Sequence, residues 1–304
     1  MAQQAWYKRY EEYRDEALRY VESVKIVPSD SLISKEIRAF AVRSESKLIF
    51  ESNVIEKAGT KTEGETQAIL RRYSTRFPLD VDFTGIAENV PETALIGSEA
   101  QFRREREVLQ HKAALMLVYS PVAPQQLLFS ESRVCAIHRI LAQGLMPKDA
   151  DVEAGAYRVH GVEIVGSDVV FPAPELVPPA MTRFIERSNN RVEQVLSGNR
   201  EEFVMVAAEV SYNFVRIHPF PDFNGRMSRL LLTMALRAFG VPFSLALRGS
   251  NTKSRHRYFF ALQRADTGDL KPYATLIAMR LVESFQEIDE NLRLAGQKTL
   301  LEIE

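Results

Sequence analysis

Two stripes of apolar side chains constrain this chain more than any other feature of it. Val206, Val210, Phe214 and Ile217 recur at helical spacing, and so do Met227, Leu230, Leu231, Met234, Ala235 and Ala238. Between the stripes runs His218-Pro219-Phe220-Pro221-Asp222-Phe223-Asn224-Gly225-Arg226, which lacks the repeat. The pattern predicts a tight loop between two buried helices, entering the second through Asn224-Gly225. Such a loop aims backbone N–H groups and the positive end of a helix dipole at one point, which makes an anion site. Arg226 and Arg229 are three apart on the first turn, so both guanidinium groups can fork onto phosphate oxygens. Asp222 can hold a hard cation such as Mg²⁺, which takes one or two carboxylates plus phosphates. His218 has a side chain that titrates near neutrality and suits proton abstraction from a hydroxyl. Alone, each of these residues reads as a cap or a surface charge. Together they make a kit for phosphoryl or nucleotidyl transfer.

Most of the remaining chain also reads as helix. Helices are expected over about 5–25, 32–57, 98–119, 127–145, 179–197, 201–217, 226–239, 254–267 and 271–295. Residues 60–97 read as a connecting region with short helices. Arg103, Arg104, Glu105, Arg106 and Glu107 form a mixed-sign cluster expected on a solvated helix face. The one strand signal runs through Tyr157, Val159, Val162 and Ile164, turns at Gly166-Ser167-Asp168 and returns through Val169, Val170 and Phe171, a small β-hairpin. The expected fold is therefore all-α with one hairpin. Its expected parts are an N-terminal helical region over 1–97, a catalytic domain over 98–295 and a tail over 296–304.

Composition narrows the partners. The 304 residues carry 39 Lys+Arg against 40 Asp+Glu, a net charge of −1, which is not the footprint of a nucleic-acid binder or a membrane-surface protein. The apolar stretch Leu230–Leu247 is broken by Arg237, Gly240 and Pro242 and fits a buried helix ending at Gly240 better than a membrane span. A single cysteine, Cys135, excludes an internal disulfide and a Cys-rich zinc site. The N-terminus lacks the charged start and apolar core of a secretory leader, so the cytoplasm is the expected compartment, with the nucleus left open. His111, His138, His160 and His256 show no metal-binding spacing and read as structural or surface residues.

The loop closely resembles the signature of the Fic (filamentation-induced-by-cAMP) family, His-x-Phe-x-Asp/Glu-Gly-Asn-Gly-Arg-x-x-Arg. It matches at His218, Phe220, Asp222, Asn224, Gly225, Arg226 and Arg229, and departs at Phe223, where the family usually has Gly. The likeness extends over about 105–290. It takes in Gly155-Ala156-Tyr157-Arg158 before the hairpin, and Tyr258–Leu262 with Gly268-Asp269 and Pro272 beyond the loop. The resemblance implies a protein adenylyltransferase that moves AMP from ATP onto a hydroxyl side chain of a target protein, with Mg²⁺. It implies His218 as general base and Asp222 as metal ligand. Asn224, Gly225 and Arg226 would cradle the phosphates, Phe220 would be buried to hold the loop, and Arg229 would reach the γ-phosphate. Tyr258 and Phe259, with Asp266, would line the nucleoside pocket. The segment 157–172 would present the target's Ser, Thr or Tyr by strand addition, and two copies would pair as a homodimer. A Phe at 223 must take an ordinary φ or be strained, and its ring can lie against nucleotide or core.

Some members of the family carry an inhibitory helix with Ser/Thr-x-x-x-Glu followed by Gly or Asn. Ser52-Asn53-Val54-Ile55-Glu56 is similar to it, with Lys57 in the small residue's place. Ser52 and Glu56 then share one helix face. The resemblance implies that Glu56 pairs with Arg229 and displaces the γ-phosphate, and that it can orient a water for removal of AMP. Two other readings stand beside this one. The first is a Fic-like enzyme that transfers another phosphate-containing group or mainly deAMPylates. The second is a helical module that senses nucleotide without catalysis.

Overall fold

The computed structural model describes residues 9–74, 99–121, 126–147, 150–163, 169–247 and 252–303. All regular structure among them is helical: α1 (Tyr10–Lys25), α2 (Leu32–Ile55), α3 (Glu63–Ser74), α4 (Glu99–Tyr119), α5 (Glu131–Ala142), α6 (Val177–Ser197), α7 (Phe203–Ile217), α8 (Asn224–Ala238), α9 (Thr252–Asp266) and α10 (Lys271–Leu294). The all-α reading holds. The hairpin is not formed by its described arms: 157–163 and 169–172 carry no strand, and the turn at 164–168 lies outside the described residues. None of the described helices is long and apolar enough to cross a membrane.

Local chemistry moves several boundaries. Helix α5 is shorter than its apolar pattern, because Ser130 Oγ accepts from the Arg133 N–H and caps it at the start. At its other end Gln143 leaves the helix and Gly144 takes φ +67°. Helix α2 stops at Ile55, and Lys57 turns left-handed at φ +56°. Helix α8 ends as expected before Gly240 (φ +102°), whose N–H goes to Arg237 O while the Val241 N–H goes to Leu236 O. The charge cluster on α4 is not a wholly solvated face. Glu105 and Glu107 are buried, and Glu107 Oε2 takes the Gly59 N–H at 2.6 Å, so a loop amide rather than water satisfies it.

The chain divides into two compact units. One comprises Met1–Leu48, Asn190–Tyr212 and Leu232–Glu304. In it α1 packs on α10, Tyr20 stacks on Phe285 at 4.9 Å, and Phe243 meets Phe285 edge-on. Buried Asp289 binds the Tyr20 hydroxyl (3.0 Å) and the Leu300 N–H (2.6 Å), which fastens the C-terminal residues to this unit.

The other unit comprises Ile49–Asn189 and Asn213–Leu231. Its core joins Ile49, Ile69, Tyr73, Val108 and Leu109. A run of rings, Phe129–Phe184–Phe214–Phe220, leads from the start of α5 to the loop after α7 at centroid spacings of 6.4, 5.8 and 6.2 Å. Phe220 is wholly buried and gives the loop a fixed apolar floor.

Candidate functional site

The loop 218–223 is held by groups that bind its main chain. Asn224 accepts from the Phe220 N–H (3.0 Å) and donates to Phe220 O (2.7 Å), so its amide closes the loop on itself. The side chain expected to cradle phosphate is thus committed to loop shape. Asp222 Oδ1 accepts from the Phe223 N–H at 2.6 Å. His138, read from sequence as a bland residue, is the hub beneath the loop. Its Nδ1 accepts from the Gly155 N–H (2.8 Å), which places the proton on Nε2, and Nε2 donates to Asp222 O (3.2 Å). Its ring stacks on Phe220 at 3.7 Å. Burial pushes its pKa down to about 3, so the ring is neutral. No metal-like spacing marks such a residue in sequence, because its partners are backbone groups.

His218 sits at φ +51° with Nδ1 3.1 Å from Val215 O. A carbonyl only accepts, so Nδ1 carries the proton and Nε2 keeps its lone pair. Burial chiefly lowers its pKa. The Val215 hydrogen bond, Glu56 and Asp222 oppose that shift, Arg158 adds to it, and the result is about 4. The imidazole is therefore a neutral base throughout the physiological range. Buried His111 is held well below its ordinary value by burial, with Arg226 and Arg229 adding to the effect. Both histidines are neutral in the fold and gain a proton near pH 6.5 when unfolded. The unfolded chain then binds more protons below that pH, so their contribution is fully present above about pH 6.5 and is lost on acidification toward pH 4. Each costs up to about 1.4 kcal/mol per pH unit in that window. Urea unfolding at pH 7, 6 and 5 should show the midpoint fall steeply; a flat profile would contradict neutral burial.

Phe223 resolves its departure from the signature in an unexpected way. It keeps the left-handed φ of +64° and buries its ring all the same. The Arg226 guanidinium lies 3.7 Å above that ring, and His138 meets it edge-on. The strain of about 1–2 kcal/mol is smaller than the roughly 3–5 kcal/mol that removal of a buried Phe costs. Phe223→Gly should therefore destabilise by about 1–4 kcal/mol net, read as a lower urea midpoint at unchanged slope. A gain in stability would show that backbone strain outweighs packing.

Arg226 is buried, and its Nε has no hydrogen-bond partner. An unsatisfied buried guanidinium at a helix start fits an anion. Arg229, also buried, is engaged by α2 and the residue just beyond it: Nε donates to Ser52 Oγ (2.7 Å), and Nη2 donates to Ser52 O (3.1 Å) and Glu56 Oε1 (2.6 Å). Glu56 Oε1 also occupies the space that a Cβ at 225 would need, so Gly225 serves close approach here and not a special φ. Burial alone would raise the Glu56 carboxyl. The charge and hydrogen bond of Arg229 win, with help from Arg226 and His218, and hold it below the usual carboxylate range. A carboxylate thus rests at the α8 N-terminus where the dipole favours an anion.

Ser52, Glu56, His218, Asp222, Asn224, Gly225, Arg226 and Arg229 all belong to one compact unit. Tyr258, Phe259 and Asp266 belong to the other, on α9: Tyr258 is buried, Phe259 is 41% exposed, and Asp266 accepts from the Tyr212 hydroxyl at 2.8 Å. Among the described residues no cluster of three or more His, Cys, Asp or Glu could hold a metal by itself. Asp222 offers a single carboxylate with one oxygen engaged. That fits Mg²⁺, which keeps waters and phosphates as its other ligands, and does not fit an all-protein cage.

With this geometry in hand, residues 128–236 match the Fic/DOC family. They form a Fic domain. The chain is 30% identical over 189 residues to "Protein adenylyltransferase Fic" of Nematostella vectensis, an alignment covering 62% of this chain and 41% of that protein. It is 26% identical over 272 residues to the Drosophila ananassae protein of the same name, covering 85% and 52%. The chain thus spans about half or less of the length of these relatives. Among solved structures, a Fic-domain-containing signaling protein from Bacteroides thetaiotaomicron matches with TM-score 0.67 and 18% identity over 94% of this chain and 98% of that one. A segment of Fic-1 from C. elegans matches with TM-score 0.67 and 22% identity over 97% and 74%. These likenesses extend the fold well beyond residues 128–236. Within the Fic domain lie the loop, His138 and Arg158, while Ser52 and Glu56 come from outside it.

Proposed function

We propose that the chain is a protein adenylyltransferase, moving AMP from ATP to a hydroxyl side chain of a target protein, and that Glu56 restrains it. The observation that carries this reading is that Arg229 and the start of α8 at Gly225 meet on one carboxylate, Glu56, on which Arg226 and His218 also act. The names of the relatives support an adenylyl group and a protein acceptor.

Nε2 of His218 takes the proton from the target hydroxyl, because Nδ1–H is already committed to Val215 O. The freed oxygen attacks the α-phosphorus; that O–P bond forms as the α–β bond breaks, pyrophosphate leaves, and the proton stays on His218. Arg226 and the α8 N-terminus hold the phosphates, and Arg229 takes the terminal one once Glu56 has moved away. Mg²⁺ on Asp222 would neutralise phosphate charge. The described arms 157–163 and 169–172 would receive the target segment by strand addition.

The deciding experiment incubates the chain and its Glu56→Gly variant with Mg²⁺ and ATP, UTP or GTP, and weighs the protein by mass spectrometry. An adenylate adduct from ATP is expected. An adduct from another nucleotide would move the reading to a different transferred group. No adduct from any of them, even with Glu56→Gly, would leave a nucleotide-sensing module.

A further inference from the structure

Arg158 is buried to 3% exposure and binds four main-chain carbonyls. Its Nε donates to His218 O at 2.8 Å and its own N–H to Pro219 O at 2.9 Å. Nη1 donates to His160 O at 3.0 Å and Nη2 to Pro172 O at 2.5 Å. Among the described residues no carboxylate pairs with it. A buried guanidinium without a counter-ion is costly, and a hydrophobic side chain could fill space at less expense. What only a planar fork supplies is several N–H groups in fixed directions. Here they gather carbonyls from both arms, at 160 and 172, and from the residue expected to take the proton. Phe171, next to the tethered Pro172, lies against the His218 ring at 4.3 Å. The same anchor therefore fixes the main chain of His218, in its left-handed conformation, and the aromatic wall of its ring.

We propose that Arg158 is a positioning residue for the transfer reaction, holding His218 in register with the two arms. The inference rests on the adenylyltransferase reading for its kinetics but not for its geometry. The loss of Arg158 should therefore damage turnover and spare nucleotide binding, because near-attack geometry is lost while the phosphate-binding groups remain.

The test places Arg158→Met and Arg158→Lys in the Glu56→Gly chain. Self-adenylylation from labelled ATP gives the rate, and calorimetry gives the dissociation constant of Mg·ATP. Arg158→Met should lower the rate at least about 100-fold with ATP affinity within about threefold. Arg158→Lys, which keeps a charge and three donors, should recover part of the rate. A rate within about threefold of the parent in Arg158→Met, or a loss confined to ATP affinity, overturns the proposal. A second readout needs no activity: nitrogen-15 spectra of the histidines should show His218 in the single Nδ1–H form in the parent and a mixture of tautomers in Arg158→Met. An unchanged single form in the variant overturns the proposal. If the Glu56→Gly chain with Arg158 intact makes no adduct, the functional reading fails, and the spectra alone decide Arg158.

Discussion

His218→Ala should abolish measurable AMP transfer, a fall of about 10²–10⁴-fold, while the chain stays folded. Neither His138 nor Glu56 is free to substitute. His138 spends both ring nitrogens on Gly155 and Asp222, and the Glu56 carboxylate is tied to Arg229. The position also has a backbone demand, because φ is +51° and alanine pays for that conformation where asparagine does not. His218→Asn is thus the cleaner variant, since it removes the base and tolerates the turn. Self-labelling with α-labelled ATP, alongside circular dichroism, measures both. If His218→Asn keeps more than about a tenth of the parent rate, far above a general-base loss, proton abstraction by His218 is not part of the reaction. Acidity offers an independent check. With a pKa of about 4, His218 stays neutral from pH 8 down to about pH 5. The rate should hardly fall over that range as long as the fold persists, in contrast to an exposed histidine base failing below pH 6.5.

The chemistry of residues 218–229 was legible because every group in it acts through its side-chain type at a fixed spacing, between stripes that can only be buried helices. The pairing of Ser52 and Glu56 with Arg229 was legible only through the family resemblance, since helix spacing alone is common and α2 ends at Ile55, one residue before Glu56. What escaped the sequence works through backbone. His138 and Arg158 hold carbonyls, and nothing in their neighbours announces that a carbonyl will be there. Glu107 escaped likewise: a charge among charges reads as solvated until a loop amide is found on it. Phe223 shows the opposite limit. Its conformation belongs to the loop, and its residue type only determines how the strain is offset, here by a buried ring under Arg226. The ends of α5 were set by one hydroxyl and one glycine, which a pattern of apolar spacing does not weigh.

Glu56→Gly should raise self-labelling from ATP by roughly 5–150-fold, the effect of a coupling of about 1–3 kcal/mol between the inhibitory contact and the nucleotide. The argument is one of competition for a single cation. The carboxylate holds Arg229 at 2.6 Å and rests against Gly225 at the start of α8, so a terminal phosphate meets an occupied site. It is tethered to the same compact unit and competes at a high effective concentration, which free ATP overcomes only by binding in a pose that leaves Arg229 untouched. Ser52 contributes through its hydroxyl and its carbonyl, and only the hydroxyl can be removed. Ser52→Ala should therefore raise labelling less than Glu56→Gly does, and Glu56→Gln, which keeps a hydrogen-bond acceptor but no charge, should fall between parent and Gly. Because Arg229 depresses the Glu56 pKa, mild acid does not neutralise the carboxylate, and the ratio of variant to parent should stay constant from pH 8 to pH 6. Lys57, left-handed where glycine would be unstrained, gives an opposite handle: Lys57→Gly should steady the inhibited turn and lower labelling. Equal labelling by parent and Glu56→Gly would remove the restraint, and equal release of AMP from pre-labelled protein by both would remove Glu56 from any hydrolytic role.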